Sequence, residues 1–120
     1  MTRDDYNAFC ASLPHATHVV QWGDHDVWKV GGKVFAIAGS GAGGGFGVTF
    51  KCSELGFDIL REQPGLRLTP YLASRGMTWI QRQTAESMDD AALCDYLRES
   101  HRIVAAGLPR KARAALGLDL

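Results

Sequence analysis

The chain has 120 residues, 46% of them hydrophobic and 22% charged, and its thirteen basic residues balance thirteen acidic ones. That length suits one domain with a self-sufficient core, and zero net charge excludes wholesale recruitment by nucleic acid or anionic membrane, so an electrostatic partner must meet a local patch. No apolar run approaches the roughly 20 residues of a membrane-spanning helix, the start MTRDDYNAF has no signal-peptide core, and three scattered cysteines (Cys10, Cys52, Cys94) argue for a reducing, cytoplasmic setting rather than a disulfide framework.

Thr2 with Asp5 approaches the capping-box pattern. Tyr6, Phe9, Cys10 and Leu13 follow at helical spacing, which predicts a helix over 3–12 that Pro14 ends. His18–Trp22 is a short β-rich run. Val27–Val30 and Lys33–Ile37 then flank Gly31-Gly32, a strong signal for a type I′ hairpin, because both central positions need positive φ. The expected register sets Val30 opposite Lys33, Lys29 opposite Val34, Trp28 opposite Phe35 and Val27 opposite Ala36. One face would carry Trp28, Val30, Phe35 and Ile37. The other, lighter and partly solvated, would carry Val27, Lys29, Val34 and Ala36.

Gly39–Gly45 reads as a loop, and Phe46–Lys51 as an alternating strand with Phe46, Val48 and Phe50 in the core. Lys51 would join Lys29 on the lighter face. Ser53 can cap a helix over 54–62 with Leu55, Ile59 and Leu60 inward, ended by Gln63-Pro64-Gly65. Leu66–Ser74 is irregular, and Met77–Gln83 is a further strand. Ser87 and Asp90 form a second capping pair. They open the longest helix, to about Ala106, with a buried stripe of Leu93, Tyr96, Leu97, Ser100 and Val104. Gly107 is a C-cap candidate, and Pro109 can start a last short helix through Leu116. The order predicts a single α+β domain over 1–120. An antiparallel sheet would have its N- and C-terminal helices packed on one face as a two-layer structure.

The ordered set Leu13-Pro14, Trp22-Gly23, Lys29–Ala36 (KVGGKVFA), Lys51, Pro64-Gly65, Pro70-Tyr71, Trp79-Ile80, Ser100 and Leu108-Pro109 resembles the MmcQ/YjbR family of small bacterial proteins. The resemblance covers almost the whole chain. It implies a CyaY-like (frataxin-like) fold and a DNA-binding role through a double-wing motif. Cys52-Ser53 stands where the family often has a proline nearby, and the 39–45 loop is unusually rich in glycine.

The candidate site residues follow from charge and stacking chemistry. Lys29, Lys33, Lys51 and Arg75 would meet phosphates, with Trp79 as a stacking group for an unpaired base. Whether Trp79 shares the lysine face depends on the phase of its strand, because that phase turns Arg82 inward. The segment 98–113 holds Arg98, Arg102, Arg110, Lys111 and Arg113 against Glu99, a local net of +4. Four engaged phosphates would give a salt slope of about −3.6. A solvated basic face is the plain alternative. Gly39–Gly44 matches G-x-G-x-x-G, but a strand rather than a helix follows, which argues against a dinucleotide site. His15, His18, Asp24, His25 and Asp26 are metal-capable residue types without a compact ligand spacing. No nucleophile motif or HExxH helix is present, so a non-enzymatic domain without cofactor or metal is expected. The expected partner is DNA, bound weakly and in a salt-dependent way. The alternative is a protein docked on an open sheet face. A small molecule beside Trp22, His25 and Tyr71 is the third reading.

Overall fold

The computed structural model describes residues 1–21, 23–40, 46–64, 66–68, 78–83 and 86–117, with only the backbone of residues 40, 67 and 68. Its elements are α1 (Arg3–Ala11), β1 (Ala16–Gln21), β2 (His25–Val30), β3 (Lys33–Ser40), β4 (Phe46–Lys51), α2 (Glu54–Leu60), β5 (Leu66–Leu68), β6 (Trp79–Arg82), α3 (Asp90–Ala106) and α4 (Arg110–Ala115). The described strands form one antiparallel sheet in the order β1-β2-β3-β4-β6-β5. This is the α+β arrangement expected of the sequence, an antiparallel sheet flanked by N- and C-terminal helices. β5 adds three residues of strand within the segment read as irregular.

Local chemistry explains the element ends. Thr2 caps α1 in a full capping box with Asp5. Gly31 and Gly32 sit at φ 58° and 80°, as the two-residue hairpin turn requires. Ser53 caps α2 by accepting from the Gly56 amide. Asp89, not Ser87, caps α3, accepting from the Ala92 amide at 2.8 Å. Pro109 stands one place earlier than expected, at the cap of α4.

The core lies between the sheet and the pair α1 and α3. Tyr6, Cys10, Trp28, Val30, Phe35, Phe50, Ile80, Leu93 and Leu97 are its main members. The edge of the Phe35 ring meets His101 with centroids 5.2 Å apart, and Tyr96 stacks on Phe50.

The hairpin departs from its expected register. Val30 and Lys29 face Lys33 and Val34 as the turn dictates, but Trp28 pairs with Ala36 and Val27 with Ile37. Phe35 is thus the extra residue of a β-bulge. Ala36 and Ala38 therefore turn toward the helices, and Ile37 turns to the opposite face beside Val27, Thr49 and Gln81. The bulge has a physical anchor in α3. The buried Ser100 hydroxyl donates to the Phe35 carbonyl (2.6 Å) and accepts from the Lys51 amide (2.8 Å). It stands in for the ladder bonds that β3 and β4 lack where they separate.

A second correction concerns α2. Leu60 is buried, but Leu55 is 72% and Ile59 54% exposed. This seven-residue helix meets the sheet chiefly at β6, so it hides only its last turn. The lighter sheet face also differs from expectation. Val27 is 0% and Thr49 3% exposed, so this part of the face is closed to solvent.

Candidate nucleic-acid interface

Strand pairing decides where the charges go. The registers set the end of β2, the start of β3, the end of β4 and the start of β6 at one end of the sheet. Lys29, Lys33, Lys51 and Trp79 lie there. The hydrogen bonds of Ser100 bring the C-terminal half of α3 to the same end, and His101 Nε2 lies 2.8 Å from the Pro14 carbonyl oxygen. Leu108 then ties the start of α4 to the hairpin turn. It is buried, and its Cδ1 lies only 2.5 Å from where a Cβ on Gly31 would sit. Arg110, Lys111 and Arg113 follow directly, so they extend the same end.

The opposite end of the sheet is acidic. It holds Asp24 and Asp26 at the start of β2, and the first turn of α3 with Asp89 and Asp90. The N-terminus of α1 is bound there too. Arg3 pairs with the Asp26 carboxylate and donates to the Asp24 carbonyl, and the Met1 amino group pairs with Asp90 at 2.8 Å. The chain is neutral overall but polarised along its strand axis. Glu54 and Glu99 are the acidic residues nearest the basic end on α2 and α3, and Arg102 already pairs with Glu99.

Salt bridges divide the cations further. Arg3, Arg82, Arg98 and Arg102 are each paired with a carboxylate. Arg98 also lies over the Phe9 ring at 5.4 Å. The Arg98 and Arg102 pairs are exposed i,i+3 contacts, so they compete only weakly with a phosphate for these two side chains. Lys29, Lys33, Lys51, Arg110, Lys111 and Arg113 have no carboxylate partner among the described residues. Arg113 Nε is shielded from water without a hydrogen-bond partner there. Arg75 lies outside the described residues, as do Trp22 and Tyr71.

The phase of β6 is now fixed. Ile80 and Arg82 point to the core side, and Arg82 is accommodated by Asp90 at 3.0 Å. Trp79 pairs with Lys51 and shares its face. It is 7% exposed, so it is a packed wall rather than a free stacking ring. Lys33, Val34, Lys51, Trp79, Ile103, Val104 and Gly107 line a groove of about 350 Å³. Three of the residues singled out in the sequence thus meet in one groove. Its α3 wall was not foreseen: Ile103, Val104 and Gly107 look like an ordinary helix end in the sequence.

The His/Asp-rich segment forms a different constellation. Asp26 is buried, with His18 Nε2 at 2.7 Å and Arg3 on its other oxygen. Tyr6 donates to the Asp26 carbonyl, and Trp28 Nε1 donates to Asn7. Burial pushes the Asp26 carboxyl up, but hydrogen bonds from Arg3 and His18 outweigh it and hold it below the ordinary carboxylate range. The arrangement docks α1 on the first hairpin. Among the described residues no group of three or more His, Cys, Asp or Glu is placed to hold a metal ion. Gly39 and Ser40 belong to β3 and the next described element is strand β4, while residues 41–45 of the glycine-rich stretch lie outside the described residues.

Cys10 and Cys52 are buried free thiols, and Cys94 is half-buried. No described helix is long and apolar enough to cross a membrane.

Comparison with known proteins adds fold and family. The family model described as YjbR matches residues 11–103. The chain is similar to the crystal structure of Deinococcus radiodurans protein DR2400, family-model domain DUF419. The TM-score is 0.76 at 23% identity, over 98% of this chain and 89% of that one. No functionally curated protein matches the chain.

Proposed function

We propose that this chain, which belongs to the YjbR family, is a cytoplasmic, non-catalytic nucleic-acid-binding domain with a CyaY-like fold. The observation that carries the reading is the separation of charge. Lys29, Lys33, Lys51, Arg110, Lys111 and Arg113 gather toward one end without carboxylate partners among the described residues. A polyanion is the partner such an end attracts, and a neutral chain holds it only modestly. Arg98 and Arg102 carry exposed carboxylate partners and are secondary contributors to the contact. With three to four phosphates engaged, log K falls against log salt with a slope of about −2.7 to −3.6 on duplex DNA and about −2.1 to −2.8 on a single strand.

The test is a titration of labelled single-stranded and duplex DNA from about 50 to about 200 mM salt. Binding at low salt that weakens on these slopes is expected. No binding at low salt, or binding indifferent to salt, would refute the reading.

A protein partner is the second reading, and the exposed Leu55 and Ile59 on α2 favour it. The sheet face around Val27 and Thr49 is already buried, so such a partner would use those exposed residues instead. A single dominant partner captured after nuclease treatment, and lost on Leu55→Ser with Ile59→Ser, would support it.

A further inference from the structure

From the groove at the basic end, we infer that the protein seats one unpaired nucleotide of a single strand there, rather than reading only a duplex backbone. This rests on the nucleic-acid reading above and deepens it. The groove has two kinds of wall. Lys33 and Lys51 supply positive charge, while Val34, Trp79, Ile103 and Val104 supply apolar surface. A nucleotide has the same division, an anionic phosphate beside a flat apolar base. A volume of about 350 Å³ lies at the small end of ligand sites, roughly 300–1,000 Å³. It admits one base with its sugar. Trp79 is held by packing, so its contact with a base costs little ordering.

Gly107 is a further feature of the same groove. Its φ is −81°, in the ordinary right-handed region, so the backbone does not demand glycine. A Cβ there would meet only carbonyl oxygens of Val104 and Ile103, at 3.5 and 3.6 Å, so packing does not demand it either. Gly107 lines the groove, so a large side chain at this position has room to stand in it. The lysines also complement the negative C-terminal end of α3, a structural role that the test must separate from binding.

The experiment compares labelled strands of about ten nucleotides, base-carrying and fully abasic, by fluorescence anisotropy at low salt. A duplex of equal length and a free nucleoside monophosphate competitor complete the set. The base-carrying strand should bind about 5- to 100-fold more tightly than the abasic one, and the duplex should bind like the abasic strand. Gly107→Leu should bring the base-carrying strand down to the abasic level, with folding checked by circular dichroism. Gly107→Ala, which fits without a clash, should give an intermediate loss if the leucine variant misfolds. Equal, salt-dependent binding of abasic and base-carrying strands would overturn the groove assignment and leave nucleic-acid binding standing. No binding of any strand would overturn both. A free nucleoside monophosphate that binds as tightly as the whole strand would show a small-molecule site and overturn the strand assignment.

Discussion

Ser100→Ala is the substitution whose cost follows most directly from the geometry. The Ser100 hydroxyl is fully buried, 2.6 Å from the Phe35 carbonyl and 2.8 Å from the Lys51 amide. Alanine removes both partners at once and leaves a buried C=O and a part-buried N–H without their hydroxyl partner. Each such group costs about 1–3 kcal/mol, so the gross loss is about 2–6 kcal/mol. Alanine is the better helix former by about 0.5 kcal/mol, which offsets a little of it. The net loss should be about 1.5–5.5 kcal/mol. In urea unfolding, with a slope of about 1–3 kcal/mol/M, the midpoint should fall by at least about 0.5 M with the slope unchanged. A midpoint within about 0.3 M of the parent would refute the claim that this hydroxyl replaces the missing ladder bonds.

Other expectations are simpler. Asp26 has a folded pKa below its unfolded value of about 3.9, so its stabilisation is present above that pH and is lost as pH falls through the folded value. Acid unfolding of Asp26→Asn should therefore be flatter than that of the parent below about pH 4, and parallel curves would contradict the role given to Arg3 and His18. Gly31→Ala should lower the melting temperature more than Gly32→Ala. Both turn positions have positive φ, but only a Cβ at Gly31 strikes Leu108. Equal losses would mean that Leu108 does not clamp the turn. Burial pushes the Cys10 thiol up to about 12 and the Cys52 thiol up to about 11, so a disulfide reagent should modify Cys94 first in the native protein. Fast modification of Cys10 would contradict its place in the core.

The parts of the fold that depend on local chemistry were legible in the sequence. The capping box at Thr2, the positive-φ Gly31-Gly32 turn and the alternation of Phe46–Lys51 all carry their cause in neighbouring residues. The bulge at Phe35 carries no local mark, because Phe35, Ala36 and Ile37 are all apolar and either phase satisfies the pattern. Its cause is Ser100, sixty-five positions away. Leu55 and Ile59 were misplaced because helical periodicity reports an apolar face but not whether anything covers it. The phase of Trp79 stayed open until Asp90 appeared as the partner that lets Arg82 turn inward. The candidate lysines were visible one by one. Their segregation from the acidic end was not, since it depends on which strand ends the sheet brings together.

The central claim is that the basic end, and not the acidic end or the α2 surface, meets nucleic acid. Amide chemical-shift mapping during titration with a short single strand tests it most directly. Perturbations should concentrate at Lys29, Lys33, Lys51, Gly107 and Arg110–Arg113, and should fade as salt is raised. Perturbations centred on Asp24 and Asp90, or on Leu55 and Ile59, would contradict the account.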